Sequence, residues 1–305
     1  MSGMPAAQTG EEGAAPLLHA PDHDATSPDR ATGNDRDDRE GQRSRPSLLG
    51  SMTRHWVSVG SIAAGFILWQ LIGQFAVSNS LFLATPVQAF AAMREMAASG
   101  VLWQHIWVSG QEFLYGFTGA CILGLPIGLL MASSRRIRAI LSPWVSGFYA
   151  TPIVALAPLL ILWFGVGLAS KIVVVASLVI FPVIINTEAG ILATDPDLSE
   201  MAQSFGAGRL ELFTKVSIPS ALPFILTGFR LGIGRGLIGV VVGELFGAYA
   251  GLGFMIYNSA QVFNMPALFA GILILAFAGV VLTAGFRLFE LRVVHWQGSG
   301  RKALR

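Results

Sequence analysis

Residues 200–223 read EMAQSFGAGRLELFTKVSIPSALP. Charged and apolar positions alternate at helical spacing, Gly206 interrupts the run, and Pro219 and Pro223 stand at its end. Strongly apolar chain lies on both sides. The pattern predicts two short helices joined at Gly206 and ended by the prolines, a polar interruption between apolar spans.

The surrounding composition says what those spans are. Of 305 residues, 53% are hydrophobic and 12% charged, with a mean hydropathy of +0.62. Soluble domains carry about 25% charged residues, so half that fraction points to lipid as the solvent. The charge is unevenly placed. Residues 1–50 hold nine of the eighteen acids and five arginines, whereas the rest of the chain has nine acids against fifteen Lys and Arg. Residues 1–50 show no apolar periodicity and are rich in Asp, Arg, Gly, Ala, Pro and Ser. Such a segment buries too little apolar surface to offset its chain entropy, so it is expected to be a disordered tail. It contains no apolar run of the kind that forms a signal peptide. Residues 51–305 form the membrane part.

A helix needs about 20 mostly apolar residues to cross the hydrocarbon core. Six stretches qualify, near 56–77, 113–132, 140–164, 171–192, 220–247 and 267–289. The expected fold is therefore an all-α membrane protein with about six transmembrane helices. Basic residues orient it. Arg43, Arg45 and Arg54 precede the first span, and Arg135, Arg136 and Arg138 follow the second. Arg209 and Lys215 sit in the quoted segment, and Arg292, Arg301, Lys302 and Arg305 follow the last span. The opposite loops hold only Arg94 and Lys171. The asymmetry predicts cytoplasmic N- and C-termini and a cytoplasmic loop over 193–219.

Several chemistries are excluded or weakly supported. The single cysteine, Cys121, cannot form a disulfide within the chain and has no metal-ligand spacing around it. The three lysines, Lys171, Lys215 and Lys302, follow Ser170, Thr214 and Arg301, so none is a P-loop lysine. GRGLIG at 234–239 fits G-x-G-x-x-G but lies in an apolar helical run with no strand before it, and is not a dinucleotide site. No pattern suggests nucleic-acid binding, and no nucleophile–base set suggests an enzyme. The glycines of the fifth span read instead as packing ridges: Gly228, Gly232 and Gly236, then Gly239, Gly243 and Gly247, are each spaced by four. GIGRG is poor helix sequence and suggests a local break there. Pro126, Pro152, Pro158 and Pro182 are expected to interrupt the second, third and fourth spans.

The quoted stretch resembles the EAA loop of binding-protein-dependent ABC transporter permeases. Glu200, Met201 and Ala202 stand at the Glu-Ala-Ala positions and Gly206 follows three residues later. Nine residues on come Val216, Ser217, Ile218 and Pro219 at the Ile-x-Leu-Pro positions. LILWFGVGLASK (160–171), PVIINTEAG (182–190) and TGFRLGIGRGLIGVVVGELFGAYAGLG (227–253) are similar to the nitrate/sulfonate/taurine branch. Glu188 departs from that pattern, and the tail lies outside it. The resemblance implies a type I ABC importer permease in the bacterial inner membrane. Its loop would be a coupling helix docked on a cytoplasmic ABC ATPase dimer, with a second copy of the permease and an external solute-binding protein completing the assembly. ATP and magnesium would sit on the ATPase, with no cofactor in this chain. Glu200, Met201, Ala202, Phe205, Gly206, Ile218 and Pro219 are the coupling positions the resemblance assigns. The residues themselves agree: Asp195-Pro196 is a good N-cap and first-turn pair, and Leu198, Met201, Ala202 and Phe205 share one apolar face.

Arg230, Arg235 and Glu244 lie in the fifth span and are the candidate pathway residues. Glu244 is nine residues beyond Arg235, about 13 Å along a helix, too far for a direct pair. The arginines either pair structurally within the bundle or line an electropositive path for an anion such as a sulfonate, taurine or nitrate. The alternative function is an ion-gradient-driven secondary transporter or channel, which would use Glu188 and Glu244 as intramembrane acids.

Overall fold

The structure is a computed structural model that describes residues 48–76 and 82–294, with side chains from Trp56 onward. The predicted tail, but for its last three residues at the start of the first helix, lies outside the described residues. All regular structure among the described residues is helical. The order is α1 (Leu48–Leu71), α2 (Pro86–Ala98), α3 (Val101–Ser133), α4 (Arg135–Ala150), α5 (Ile153–Phe164), α6 (Leu168–Leu192), α7 (Pro196–Ser204), α8 (Arg209–Glu211), α9 (Ile218–Leu245), α10 (Leu252–Gln261) and α11 (Met265–Val293).

Five of these stretches are long and apolar enough to cross a membrane: Trp56–Phe75, Val101–Ser133, Leu168–Leu192, Arg209–Leu245 and Met265–Val293. The predicted third span is a broken pair. α4 and α5 meet at 99°. The cause is Thr151-Pro152. A residue before proline is driven out of the helical region, and Thr151 is extended at ψ 133 while its N–H closes α4 on Gly147 and Phe148. Elsewhere the prolines do less than expected, because α3 and α6 run continuously through Pro126 and Pro182. Pro219 and Pro223 do not end a helix either. Residues 212–217 form a wide π-helical turn, and the chain continues as helix into α9 with both prolines in its first turns. Proline removes donors from the backbone ladder, and a wide turn is one way the ladder absorbs the loss.

Two further helices had no counterpart in the hydropathy pattern. α2 opens on a capping box: Thr85 accepts from the Gln88 N–H, and Gln88 accepts from the Thr85 N–H, with Pro86 in the first turn. α10 is short and lies past the end of α9.

The core is α6 held between α3 and α9. Val175, Val179 and Val183 of α6 are fully buried. On one side they meet Gly116 and Gly124 of α3, where Gly128 lies against Thr187 and Ile184 further along α6, and on the other Gly228, Gly232, Gly236 and Gly239 of α9. At most of these glycines a Cβ would lie about 3 Å or less from an α6 atom. In lipid, helices gain nothing from burying apolar surface against each other, so close van der Waals approach of small residues is what holds them. This contact also explains why α9 has no break at GIGRG. Gly232 and Gly236 lie against Val179 and the Phe113 and Phe117 rings, and the packing outweighs the poor propensity of the sequence.

At Gly239 an added methyl would lie 2.9 Å from the Val175 Cα, a backbone atom that cannot swing aside. Gly239→Ala is therefore expected to cost about 1–3 kcal/mol, read as a lower unfolding midpoint in detergent. Gly119→Ala in α3, which enters open space, should leave the midpoint unchanged.

Candidate functional site

The segment between α6 and α9 is built from local rules. Asp195 caps α7, accepting the Asp197 N–H at 2.9 Å, with Pro196 at the first helical position. Gly206 ends it at φ +87. The Gly206 N–H donates to the Gln203 carbonyl at 2.8 Å, and the Ala207 N–H donates to the Ala202 carbonyl at 3.1 Å. This pair of bonds is the Schellman ending, which needs a left-handed residue at Gly206. Glu200 is exposed on α7. Leu198, Met201 and Phe205 also lie outward, and Phe205 is 88% exposed. A short helix thus presents an apolar stripe that nothing among the described residues covers. Ile218 and Pro219 do something different. They are half-buried, and Ile218 packs with Phe213 against Ile191, Ala221 and Ile225, anchoring the segment to the ends of α6 and α9.

The charged residues inside the bundle separate into distinct environments. The Arg230 guanidinium pairs with Glu290 of α11, tying α9 to that helix. Arg138 Nε pairs with Glu188 at 2.9 Å, and its Nη2 donates to the Ala132 carbonyl at 3.2 Å. Glu188 therefore has a structural partner in α4. Arg235 is half-exposed. Its guanidinium lies 4.5 Å from the centre of the Tyr149 ring and donates to the Tyr149 hydroxyl at 2.8 Å. Glu244 lies on no open face. It is buried against α3 and the start of α10, accepting from Ser109 and from the Gly253 and Phe254 N–H groups. Of the three candidate pathway residues, only Arg235 has both an open face and no carboxylate partner among the described residues. Lys171 is likewise not a loop charge. It is buried in α6 and paired with Glu112 at 2.8 Å.

A chain of membrane-spanning helices, interrupted by a short helix with an uncovered apolar stripe, has relatives that can be named. Residues 124–295 match the family described as binding-protein-dependent transport system inner membrane component. The chain belongs to this family. It is 32% identical to the taurine transport system permease protein TauC of Escherichia coli, over 80% of this chain and 90% of that one. It is 33% identical to the riboflavin transport system permease protein RibX of Chloroflexus aurantiacus, over 84% and 97%. A protein of Bacillus subtilis named for aliphatic sulfonates transport is 38% identical over 76% and 84%. In fold the chain resembles a structure of the MetNI methionine ABC transporter in inward-facing conformations, with a TM-score of 0.56, 20% identity, and coverage of 65% of this chain and 97% of that one. It is an ABC importer permease, a multi-pass inner-membrane transport subunit.

Within the permease, α7 carries Glu200, Met201 and Ala202, and Gly206 follows it. Sequence reasoning did not single out Ser109, Glu112 and Lys171. The first two lie in the polar first part of α3, which hydropathy leaves outside a span, and the last stands three residues inside α6, where it counts as a loop charge. A helical face joining Ser109, Glu112 and the small residues Gly116 and Ala120 was the available signal.

The left-handed conformation costs a β-branched residue about 1–2 kcal/mol or more, whereas asparagine tolerates it. Gly206→Val should loosen α7 and raise the rate of tryptic cleavage after Arg209 several-fold in membrane vesicles. Gly206→Asn should leave that rate near the parent's.

Proposed function

We propose that the chain forms, with a second copy of itself, the translocation pathway of an ATP-driven importer for a small anion, and that α7 is its coupling helix. In this reading α7 faces the cytoplasm and docks on a separate ABC ATPase subunit, which holds ATP and magnesium. An external solute-binding protein delivers the solute on the other side. The observation that carries the coupling role is the apolar stripe of Leu198, Met201 and Phe205, set between the Asp195 cap and the Gly206 turn and covered by nothing among the described residues. A helix of nine residues with an exposed apolar face is the form that docks into a groove of a partner protein.

Arg235 supports the choice of anion. An arginine at mid-span is costly unless it meets a partner or a cavity, and Arg235 has only an aromatic hydroxyl and ring. The guanidinium keeps further N–H donors free of Tyr149 and matches the geometry of oxyanions such as sulfonates. Relatives named for taurine and aliphatic sulfonates carry solutes of that kind, whereas the riboflavin relative does not. Sulfonates are thus the first class to test.

Two measurements decide between these claims. Leu198→Asp combined with Phe205→Asp should leave membrane insertion intact and reduce co-purification of the ATPase subunit at least tenfold. Unchanged co-purification would end the coupling reading. Arg235→Ala should lower sulfonate uptake by a factor of ten or more with ATPase assembly unchanged, and Arg235→Lys should recover part of it. Normal uptake by Arg235→Ala would remove the anion claim and leave the coupling claim standing.

A further inference from the structure

The first four N–H groups of a helix have no partner within it. In α10 these groups lie inside the bundle, along with that of Gly251 before it, and side chains of α3 and α9 meet them. The Gly251 N–H donates to His105 Nδ1 at 3.0 Å and the Leu252 N–H to Ser109 Oγ at 2.7 Å. The Gly253 and Phe254 N–H groups donate to Glu244 Oε2 at 2.5 and 3.3 Å. The Ser109 hydroxyl donates in turn to Glu244 Oε1 at 2.5 Å. The seat is close-fitting: a Cβ on Gly251, at φ +125, would lie 2.2 Å from the Glu244 carboxyl.

A second carboxyl stands beside this one. Glu112 of α3 is 0% exposed and Glu244 is 1% exposed; Ser109, which holds Glu244, lies one turn of α3 before Glu112, and the Lys171 backbone and side chain lie against Gly243, next to Glu244. Lys171 of α6, 7% exposed, lies 2.8 Å from Glu112 Oε1. Glu112 Oε2 has no N–H or hydroxyl donor.

The charges do not balance. Two ionised carboxylates and one ammonium leave a net negative charge where water is excluded, which is strongly unfavourable. Among the described residues no other cation makes up the difference. His105 accepts a hydrogen bond at Nδ1, so that nitrogen carries no proton and the ring is neutral. α10 contributes no charged side chain, and its Tyr257 is exposed and accepts from Gln261. α6 contributes Lys171 alone, and α9 Glu244 alone.

We propose that Glu112 and Glu244 form a binding site for one proton, shared between their carboxyls, which neutralises the cluster with Lys171 and seats the 246–251 turn and the start of α10 against α3. Neighbouring buried carboxyls hold a proton for the same reason wherever they occur, since two like charges shut away from water with one cation are costly to keep ionised together. The pair titrates as one unit. With the proton in place, Glu112 Oε2 has its partner and Glu244 keeps its donors from the turn. When the proton leaves, two anions share one ammonium and repel, and the turn loosens. This site is independent of the coupling and anion readings.

Infrared spectroscopy of the full chain in lipid nanodiscs at neutral pH tests it. We expect a protonated-carboxyl C=O stretch that shifts on exchange into D2O and on 13C labelling of glutamate. The other glutamates among the described residues, Glu95, Glu188, Glu200, Glu211 and Glu290, are exposed or ion-paired. The band should vanish in Glu112→Gln and in Glu244→Gln. Absence of the band from the parent, its failure to shift with labelled glutamate, or its persistence in both variants would overturn the proposal. The labelling measurement needs no substitution, so it decides the matter even if a variant fails to insert.

Discussion

The bundle depends on how closely α6 can approach its two neighbours. Val175, Val179 and Val183 reach both α3 and α9 only because the facing positions on each are glycine or alanine. Water is not available to drive apolar surfaces together inside a bilayer, so packing density must supply the cohesion. Each valine is β-branched and rotationally stiff, so it loses little freedom when gripped from two sides. The rest of the molecule is arranged around this slab. α11 and α2 pack together beside it, α4 and α5 bend over it, and the 193–217 segment hangs from its end.

The same slab determines what the charged residues can do. Arg230 and Glu290 fasten α9 to α11, and Arg138 and Glu188 fasten α4 to α6. These are cross-braces between helices whose ends would otherwise be held by packing alone. Glu112, Lys171 and Glu244 form a third brace, the most deeply buried, and it acts on backbone: the donors it satisfies open α10 at the far end of α9 from α7. Arg235 is in no such brace and meets only Tyr149. A transport protein needs a rigid frame and few groups left free to meet a solute, and the division of charges in this permease follows that requirement.

α7 illustrates how a short helix can be stable before it meets a partner. Isolated helices of this length are marginal in water. Here a carboxylate cap at one end, a left-handed glycine at the other, and the Ile218–Phe213 anchor into the core hold it in shape. Its apolar stripe can then be presented to a partner with little further ordering, which keeps the entropic cost of association low.

The sequence by itself determined the class of the molecule. Composition required lipid, the apolar lengths called for about six helical spans, and local capping signals required a short helix ending at Gly206. Each of these rests on interactions within a few residues of chain. The glycine ridge of α9 was legible for the same reason, since its spacing of four is a property of one helix. Tertiary structure alone decided which charges pair. Glu112 lies 59 residues from Lys171 and 132 from Glu244, and nothing local marks them as neighbours. Hydropathy even placed Glu112 just outside a span and counted Lys171, at the edge of one, with the loop charges, because a paired charge inside a bundle and a solvated charge in a loop have the same letter in the sequence. The bend at Thr151-Pro152 was legible in the sequence, because a residue before proline is driven out of the helical region, whereas the unbroken course of α9 through GIGRG was settled by packing, with α6 and the Phe113 and Phe117 rings pressed against the glycines. Local propensity fixes where a helix can begin and end. Its path and its partners are fixed by the surfaces it must fit.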